Sequence, residues 1–393
     1  MSLDQTAAHP GLGPGTVGVL HAQLEDVRHL GILRGGGIGD LLLALPAIEA
    51  LAAAYPRARV TLLGTRVHRA LLTGRCDAVD AVAVLPSAAP LGRAAEDGDP
   101  VGAVEVEAYV ASMRARRLDL AVQLHGGGRF SNPFLLRLGA RHSVGSATPD
   151  AERLERTLPY EYFQHEVARG LEVAALAGAR PVTLEPRLRA TARDLRRAQE
   201  RLGDRGVPVL AVHPGATDPR RRWPAERFAA VVAAAVLETG ARVVVVGDAH
   251  DRGLTGAVGE MARASLPTSL HDHVVDLGGA ADLATLVGVL ALADVLVGND
   301  SGPRHLAQAL GCATVGIYWA GNVISAGPAS RARHRVHVSW TCTCPECGVD
   351  VTQVGWTAPR CAHDPSFVRD VGTAGVRDDV LELTATTPPP RGR

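Results

Sequence analysis

Ala293-Asp294-Val295-Leu296-Val297-Gly298-Asn299-Asp300-Ser301-Gly302-Pro303-Arg304-His305-Leu306-Ala307-Gln308-Ala309-Leu310-Gly311 changes structure partway along its length. The apolar run to Val297 reads as a buried strand, and Leu306 to Gly311 as a short helix. Between them the chain breaks at Gly-Asn-Asp-Ser-Gly-Pro. A strand that reopens there as a helix leaves several backbone N–H groups unpaired, with the positive end of the helix dipole behind them. That combination holds anions.

The surroundings bound what such a site can serve. The chain has 393 residues, enough for two domains, and 46% hydrophobic content supports real cores. Basic and acidic residues number 41 each, so nothing global favours nucleic acid or an anionic membrane. No run approaches the length of a membrane span, and the N-terminus lacks a secretory pattern, so the expectation is a cytoplasmic protein. Every basic residue is arginine, in a composition typical of GC-rich coding. A phosphate clamp in this chain must therefore be arginine, histidine or backbone.

Read in order, residues 1–28 are Gly/Pro-rich and aperiodic, a mobile tail. Strands are expected at 27–33, 59–63, 81–85 and 119–124, with helices between them, the first expected to kink at Pro46 or begin with a separate turn. After an arginine-rich helical stretch near 187–203 the alternation restarts. Strands at 207–212, 242–246, 273–276, 294–297 and 314–318 enclose helices at 225–239 and 282–293, the latter capped by Asp282. This is an α/β chain of two doubly wound Rossmann-like domains, 29–190 and 205–340. A cysteine-containing segment with a last helix (341–383) returns to the first domain, and a disordered tail (384–393) follows. Ligands of such sheets sit beyond the carboxyl ends of the strands, where every glycine-rich motif here lies.

Arg34-Gly35-Gly36-Gly37-Ile38-Gly39-Asp40 is not a dinucleotide fingerprint, since Asp40 stands where G-x-G-x-x-G needs its last glycine. What remains is a tight loop that places a carboxylate at a helix start. The carboxylate could cap the helix or act as a general base. Asp97-Gly98-Asp99 has no strand context and reads as a turn.

These motifs together resemble glycosyltransferase family 9, the ADP-heptose:lipopolysaccharide heptosyltransferases and their relatives. The resemblance rests on Arg34 to Asp40 with Pro46, His213-Pro214-Gly215 with Arg221-Arg222-Trp223-Pro224, and Asp300 to His305, over roughly residues 28 to 375. It implies a GT-B fold, two doubly wound domains facing across a cleft. The acceptor would bind mainly on the first domain and the nucleotide diphosphate sugar on the second. Transfer would be inverting and need no metal or other cofactor.

Carried over, Asp40 is the general base, with Gly37, Gly39, His125 and Arg129 on the acceptor side. Donor contacts fall on Thr217, Arg221, Arg222, Gly247, His250, Leu277, Gly278, Asp300, Ser301, Gly302, Pro303, Arg304 and His305. Arg221 takes a position where the family usually has lysine, and the three-arginine run leaves Arg222 as an alternative. Arg304 and His250 depart from the family pattern. Arg304 could reach the phosphates or point to solvent; His250 stands where glutamate is common and puts donor identity in question.

Cys342, Cys344, Cys347 and Cys361 are four thiolates near the C-terminus, with His363 in reserve. They could wrap a structural zinc, form disulfides or stay free. Cys76 and Cys312 read as core thiols. The acceptor would be a saccharide, glycolipid or small molecule, with peripheral membrane contact open. Two rivals stand beside heptose transfer from ADP-heptose: another nucleotide sugar on a natural-product acceptor, and a non-catalytic nucleotide-sugar binding module.

Overall fold

The computed structural model describes residues 17–87, 89, 91, 100–203, 206–352 and 360–386. The chain divides into two units, the first ending at Pro186 and the second beginning at Arg187. Among the described residues no helix is long and apolar enough to cross a membrane.

The first unit runs β1 (His29–Leu33), α1 (Ile38–Ala54), β2 (Arg59–Gly64), α2 (Arg66–Leu72), β3 (Ala81–Val84), α3 (Pro100–Ala115), β4 (Leu120–Gln123), α4 (Ser131–Leu136), β5 (His142–Ala147), β6 (Arg156–Pro159) and α5 (Glu166–Leu176). Its sheet has the order β3-β2-β1-β4-β5-β6, every pair parallel. The chain winds from β1 out to β3, then returns to lay β4 on the other side of β1. The order reverses there, and the crevice beyond those two strands is where a ligand of such a sheet sits. α1 runs unbroken through Pro46 and buries Leu41, Leu42, Leu45, Ile48 and Leu51.

The second unit runs α6 (Ala192–Leu202), β7 (Val209–His213), a 3-10 turn (Pro219–Arg221), α7 (Ala225–Thr239), β8 (Arg242–Val245), α8 (Arg252–Ala264), a second 3-10 turn (Thr268–His273), β9 (Val274–Asp276), α9 (Leu283–Leu292), β10 (Val295–Asn299), α10 (Gly302–Ala309), β11 (Ala313–Trp319), α11 (Ala320–Ala326), β12 (His334–Ser339) and α12 (Thr373–Thr386). Its parallel sheet has the order β12-β11-β10-β7-β8-β9. Here the reversal lies between β7 and β10. Asp282 caps α9 as expected, accepting the Thr285 N–H at 2.8 Å.

Several expectations need correction. Residues 17–28 are not a free tail: the His21 N–H donates to the Ala175 carbonyl at 3.0 Å, and Leu24 and Val27 are buried. Two apolar side chains suffice to anchor a stretch that its glycines made look loose. The last helix, expected to return to the first domain, belongs to the second unit. Val376, Val380 and Leu383 of α12 enter the core that α7 and the second sheet share, and each such burial is worth roughly 1.5–3 kcal/mol. The helix continues through Thr386, beyond the expected onset of disorder at 384. Strands β5, β6 and β12 escaped the sequence reading because His-Ser-Val-Gly-Ser-Ala, Arg-Thr-Leu-Pro and His-Arg-Val-His-Val-Ser contain no apolar run. The Asp97-Gly98-Asp99 loop, residues 1–16 and residues 387–393 lie outside the described residues.

Candidate functional site

In the first unit the carboxyl ends of β1 and β4 gather around Arg34. This side chain is buried. Its Nε donates to the Asp40 carbonyl at 3.0 Å, one terminal nitrogen to the Asp40 carboxylate at 3.1 Å, and the other to the Leu124 carbonyl. The Glu166 carboxylate at the start of α5 lies 3.5 Å away. Asp40 also accepts the Gly37 N–H at 2.9 Å, so it does cap α1, and its side chain remains 52% exposed. The capping role is thus realised, and the carboxylate still faces solvent. One carboxylate is oriented by the loop and by a buried cation, and still meets solvent. Gly36 makes this possible: its φ is +85°, and a Cβ there would lie 2.4 Å from the Asp40 carboxylate.

His125 packs against Gly35 at the end of β4. Burial, aided by Arg34, pushes its imidazole down to about 4, so it is neutral near pH 7. His68 is buried beside the same loop, with Nε2 3.1 Å from the Gly37 carbonyl. Arg129 is separate from this group. It is exposed and pairs with Asp150 at 3.3 Å. Gly39 lies in the first turn of α1.

In the second unit the ends of β7 and β10 converge. Ser301 Oγ lies 2.9 Å from His213 Nδ1, and His213 Nε2 lies 3.5 Å from the Asp251 carboxylate. The His213 contact holds the Asp251 carboxyl below its ordinary range, against the effect of burial. Asn299 is fully buried and clamps the neighbouring loop. Its carbonyl oxygen accepts the Trp223 N–H at 3.0 Å, and its amide donates to the Pro214 carbonyl at 2.7 Å. Ser301, Gly302 and Pro303 open α10, with Pro303 in its first turn. Thr217 is exposed in the loop after β7.

The arginine run resolves into three destinations. Arg220 pairs with Asp218 and lies over the Phe367 ring. Arg222 donates to the Ala216 carbonyl at 2.9 Å. Arg221 alone of the three reaches the end of β10, where it meets the Asp300 carboxylate at 3.2 Å.

Asp300 is buried, and its oxygens also receive His305 Nε2 at 3.1 Å and Asn322 Nδ2 at 2.9 Å. Burial would raise this carboxyl, but the His305 hydrogen bond and the Arg221 and Arg304 charges outweigh it and hold the carboxyl below the usual range. Of the two alternatives left open for Arg304, pointing to solvent is ruled out. It is completely buried, donates to Gln308 at 3.1 Å and to His305 Nδ1, and lies over the Tyr318 ring. Because Nδ1 of His305 accepts from Arg304, its Nε2 carries the proton shared with Asp300. The side chain of His250 is exposed after β8, while Gly247, Leu277 and Gly278 line the ends of β8 and β9.

Arg34, Glu166, Asn299 and Asn322 were missed as site residues. Arg34 and Asn299 sit inside the quoted motifs, so a signal existed. Glu166 and Asn322 lie in segments with none.

Of the four cysteines expected around a zinc, Cys342 stands apart, its thiol donating to the Trp340 carbonyl at 3.2 Å. One ligand atom each from Cys344, Cys347, Cys361 and His363 lies within 4.8 Å of every other. That group fits a structural metal.

Two of the buried imidazoles predict how the chain responds to acid. His334, hydrogen-bonded to Thr314 at 3.0 Å, is pushed by burial down to about 4, as is His125. The unfolded chain binds these protons near pH 6.5 and the folded chain does not. Stability is thus full above pH 6.5 and falls as pH drops toward 4, by roughly 3 kcal/mol for His334. Asp300 and Asp251, whose carboxyls are depressed, lose their contribution only below that window. All four tryptophans follow residue 186, so denaturant unfolding read by their fluorescence reports the second unit alone. Its midpoint should decline from pH 7 to pH 5, and His334→Gln should flatten that decline. A midpoint independent of pH over this range would contradict the assignment.

Two doubly wound parallel units, one with a motif-borne carboxylate and the other with an arginine-backed helix start, define the GT-B class. The family model described as glycosyltransferase family 9 (heptosyltransferase) matches residues 107–349. The chain belongs to that family. Lipooligosaccharide heptosyltransferase 2 of Haemophilus influenzae is 32% identical over 139 residues, 35% of this chain and 38% of that protein. The chain thus spans well under half the length of the curated relatives it matches. Among solved structures, ADP-heptose LPS heptosyltransferase II of Escherichia coli aligns with a TM-score of 0.69 at 20% identity, covering 91% of this chain and 98% of that one. A family 9 glycosyl transferase from Veillonella parvula aligns at 0.73 and 17%, covering 93% and 99%.

Proposed function

We propose that this chain is an inverting glycosyltransferase that moves a sugar, best matched by heptose from ADP-heptose, to an acceptor hydroxyl, with no metal in the transfer step. The observation that carries the reading is Arg221, held by the buried Asp300 beside the first turn of α10. Displacement at the sugar C1 leaves negative charge on the departing diphosphate. The N–H groups of Ser301 and Gly302, the α10 dipole and Arg221 supply the opposing charge. Ser301 Oγ is engaged by His213 Nδ1, so the backbone does the donating to the diphosphate at that residue. Asp300, with both oxygens engaged, anchors Arg221 instead of touching the sugar.

In the first unit Asp40 takes the proton of the attacking hydroxyl. Arg34 orients its carboxylate and leaves the other oxygen to Gly37 and solvent. The Haemophilus influenzae relative is a lipooligosaccharide heptosyltransferase and the Escherichia coli neighbour uses ADP-heptose, which favours a heptose donor and a glycolipid acceptor. His250 favours a second reading, a different nucleotide sugar on a small acceptor, because this exposed side chain replaces the expected glutamate.

Calorimetry with ADP, UDP and GDP decides between them. ADP should bind at least tenfold tighter than the others. Arg221→Ala should weaken ADP binding by roughly 1.5–3 kcal/mol, as for a hydrogen bond to a charged group. Equal binding of all three nucleotides would end the heptosyl assignment, and an Arg221→Ala chain that binds ADP normally would remove Arg221 from the site.

A further inference from the structure

The chain after β12 builds a second cluster that the transfer chemistry does not use. The Cys344 N–H donates to the Val349 carbonyl and the Gly348 N–H to the Cys344 carbonyl, both at 2.8 Å, while Thr343 and Asp350 form an antiparallel bridge. The result is a tight Cys-Pro-Glu-Cys-Gly knuckle that needs Gly348 at φ +70° to turn. Cys361 and His363 approach it from the other end of the segment. Tetrahedral zinc bonded to sulfur and nitrogen places its ligand atoms about 3.5–3.8 Å apart. A group already within 4.8 Å closes to that spacing by small side-chain rotations.

This segment is poorly equipped to hold itself. Among the described residues its own buried apolar cluster is Cys344, Val351 and Phe367, while Val368 and Val371 join the main core of the second unit and Trp340 is 69% exposed. A core that small needs a staple. Yet the residues just after His363 grip the arginine turn. The Phe367 N–H donates to the Arg220 carbonyl at 2.7 Å, and Ser366 Oγ to the Arg222 carbonyl at 2.6 Å. The Phe367 carbonyl is fixed in turn by Ser339 at 2.6 Å and Thr341 at 3.0 Å. Both carbonyls flanking Arg221 are thus held by one short stretch, joined to the knuckle through Cys361 and His363.

We propose that Cys344, Cys347, Cys361 and His363 bind one zinc ion, and that this ion seats the turn that presents Arg221. The ion is structural, because all four of its positions are filled by protein. Its value to donor binding rests on the functional reading above. Its presence and its hold on the turn do not.

The test uses the freshly purified full-length chain. Plasma-emission metal analysis should find about one zinc per chain. Cys342→Ser should retain it and Cys347→Ser should lose it. Absence of zinc, iron in its place, a disulfide among these cysteines, or equal loss in the two variants would overturn the site. Hydrogen exchange then reads the coupling without any nucleotide. Stripping the metal with a chelator should speed exchange in the peptide spanning 218–224 by roughly tenfold or more, and zinc alone should reverse it. Unchanged exchange in that peptide after zinc removal would refute the positioning role even if zinc is bound.

Discussion

Asp40→Asn is expected to lower kcat by roughly 10²–10⁴-fold, the usual contribution of a positioned base, while ADP affinity stays the same. Asparagine keeps the shape of the side chain and an oxygen for the Gly37 N–H, so the start of α1 survives. What it removes is the charge and the basic lone pair. Arg34 loses one partner but keeps the Leu124 carbonyl and Glu166. The lost pair is half-exposed on the Asp40 side, so the stability change should stay under about 1 kcal/mol. The hydrogen bonds of Asp40 lie within its own unit, and the proposed donor residues lie in the other, which is why binding and turnover should separate. Steady-state kinetics beside ADP calorimetry and a thermal melt would show this. Full activity in Asp40→Asn would return Asp40 to a purely capping role. A chain that binds ADP but never transfers, even as wild type, would favour a binding module.

Asp300→Ala should be the most destabilising single change in the second unit, on the order of 3–5 kcal/mol. The substitution strands Arg304, which is completely buried, and removes the acceptor for His305, Arg221 and Asn322. A guanidinium left in that interior has Gln308, His305 and the Tyr318 face, none of which carries a negative charge. Arg304→Met should cost much less. Its carbon chain preserves contact near Tyr318, and Asp300 keeps Arg221 and His305. Adding Arg304→Met to Asp300→Ala should recover part of the loss, since the orphaned charge is gone. Denaturant titration followed by tryptophan fluorescence measures the second unit directly. Asp300→Ala costing less than Arg304→Met would show that the buried cation does not depend on this carboxylate.

Much of this architecture was legible from residue types and order. Val-Leu-Val before Gly-Asn-Asp-Ser-Gly-Pro announces strand, turn and helix, because β-branched runs suit a buried parallel strand and Gly-Pro suits a helix start. The α10 helix nonetheless begins four residues earlier than expected, at Gly302, since a proline in the first turn loses no intrahelical bond. The strands with polar faces were not legible. Their place is decided by register against neighbours, as in β12, where Thr314 pairs with His334.

The three arginines illustrate the limit most sharply. Their sequence context is nearly the same, and they differ in what each can reach from a 3-10 turn: Asp218 and Phe367, Asp300, or the Ala216 carbonyl. The cysteines repeat the lesson. Spacing grouped Cys342 with the other three, whereas in the fold its thiol bonds to the Trp340 carbonyl and His363 stands beside Cys344, Cys347 and Cys361.

By itself the sequence determined the fold class, the family and the strand–turn–helix breaks at the two motifs, because apolar periodicity and glycine–proline turns are local signals. Tertiary structure alone decided which arginine faces Asp300, that Arg304 is buried ballast for that carboxylate, and which four side chains converge after β12. Those outcomes depend on residues up to 79 positions apart, as with Arg221 and Asp300. Contacts at that separation are set by sheet order and packing, and leave no pattern in the neighbouring sequence.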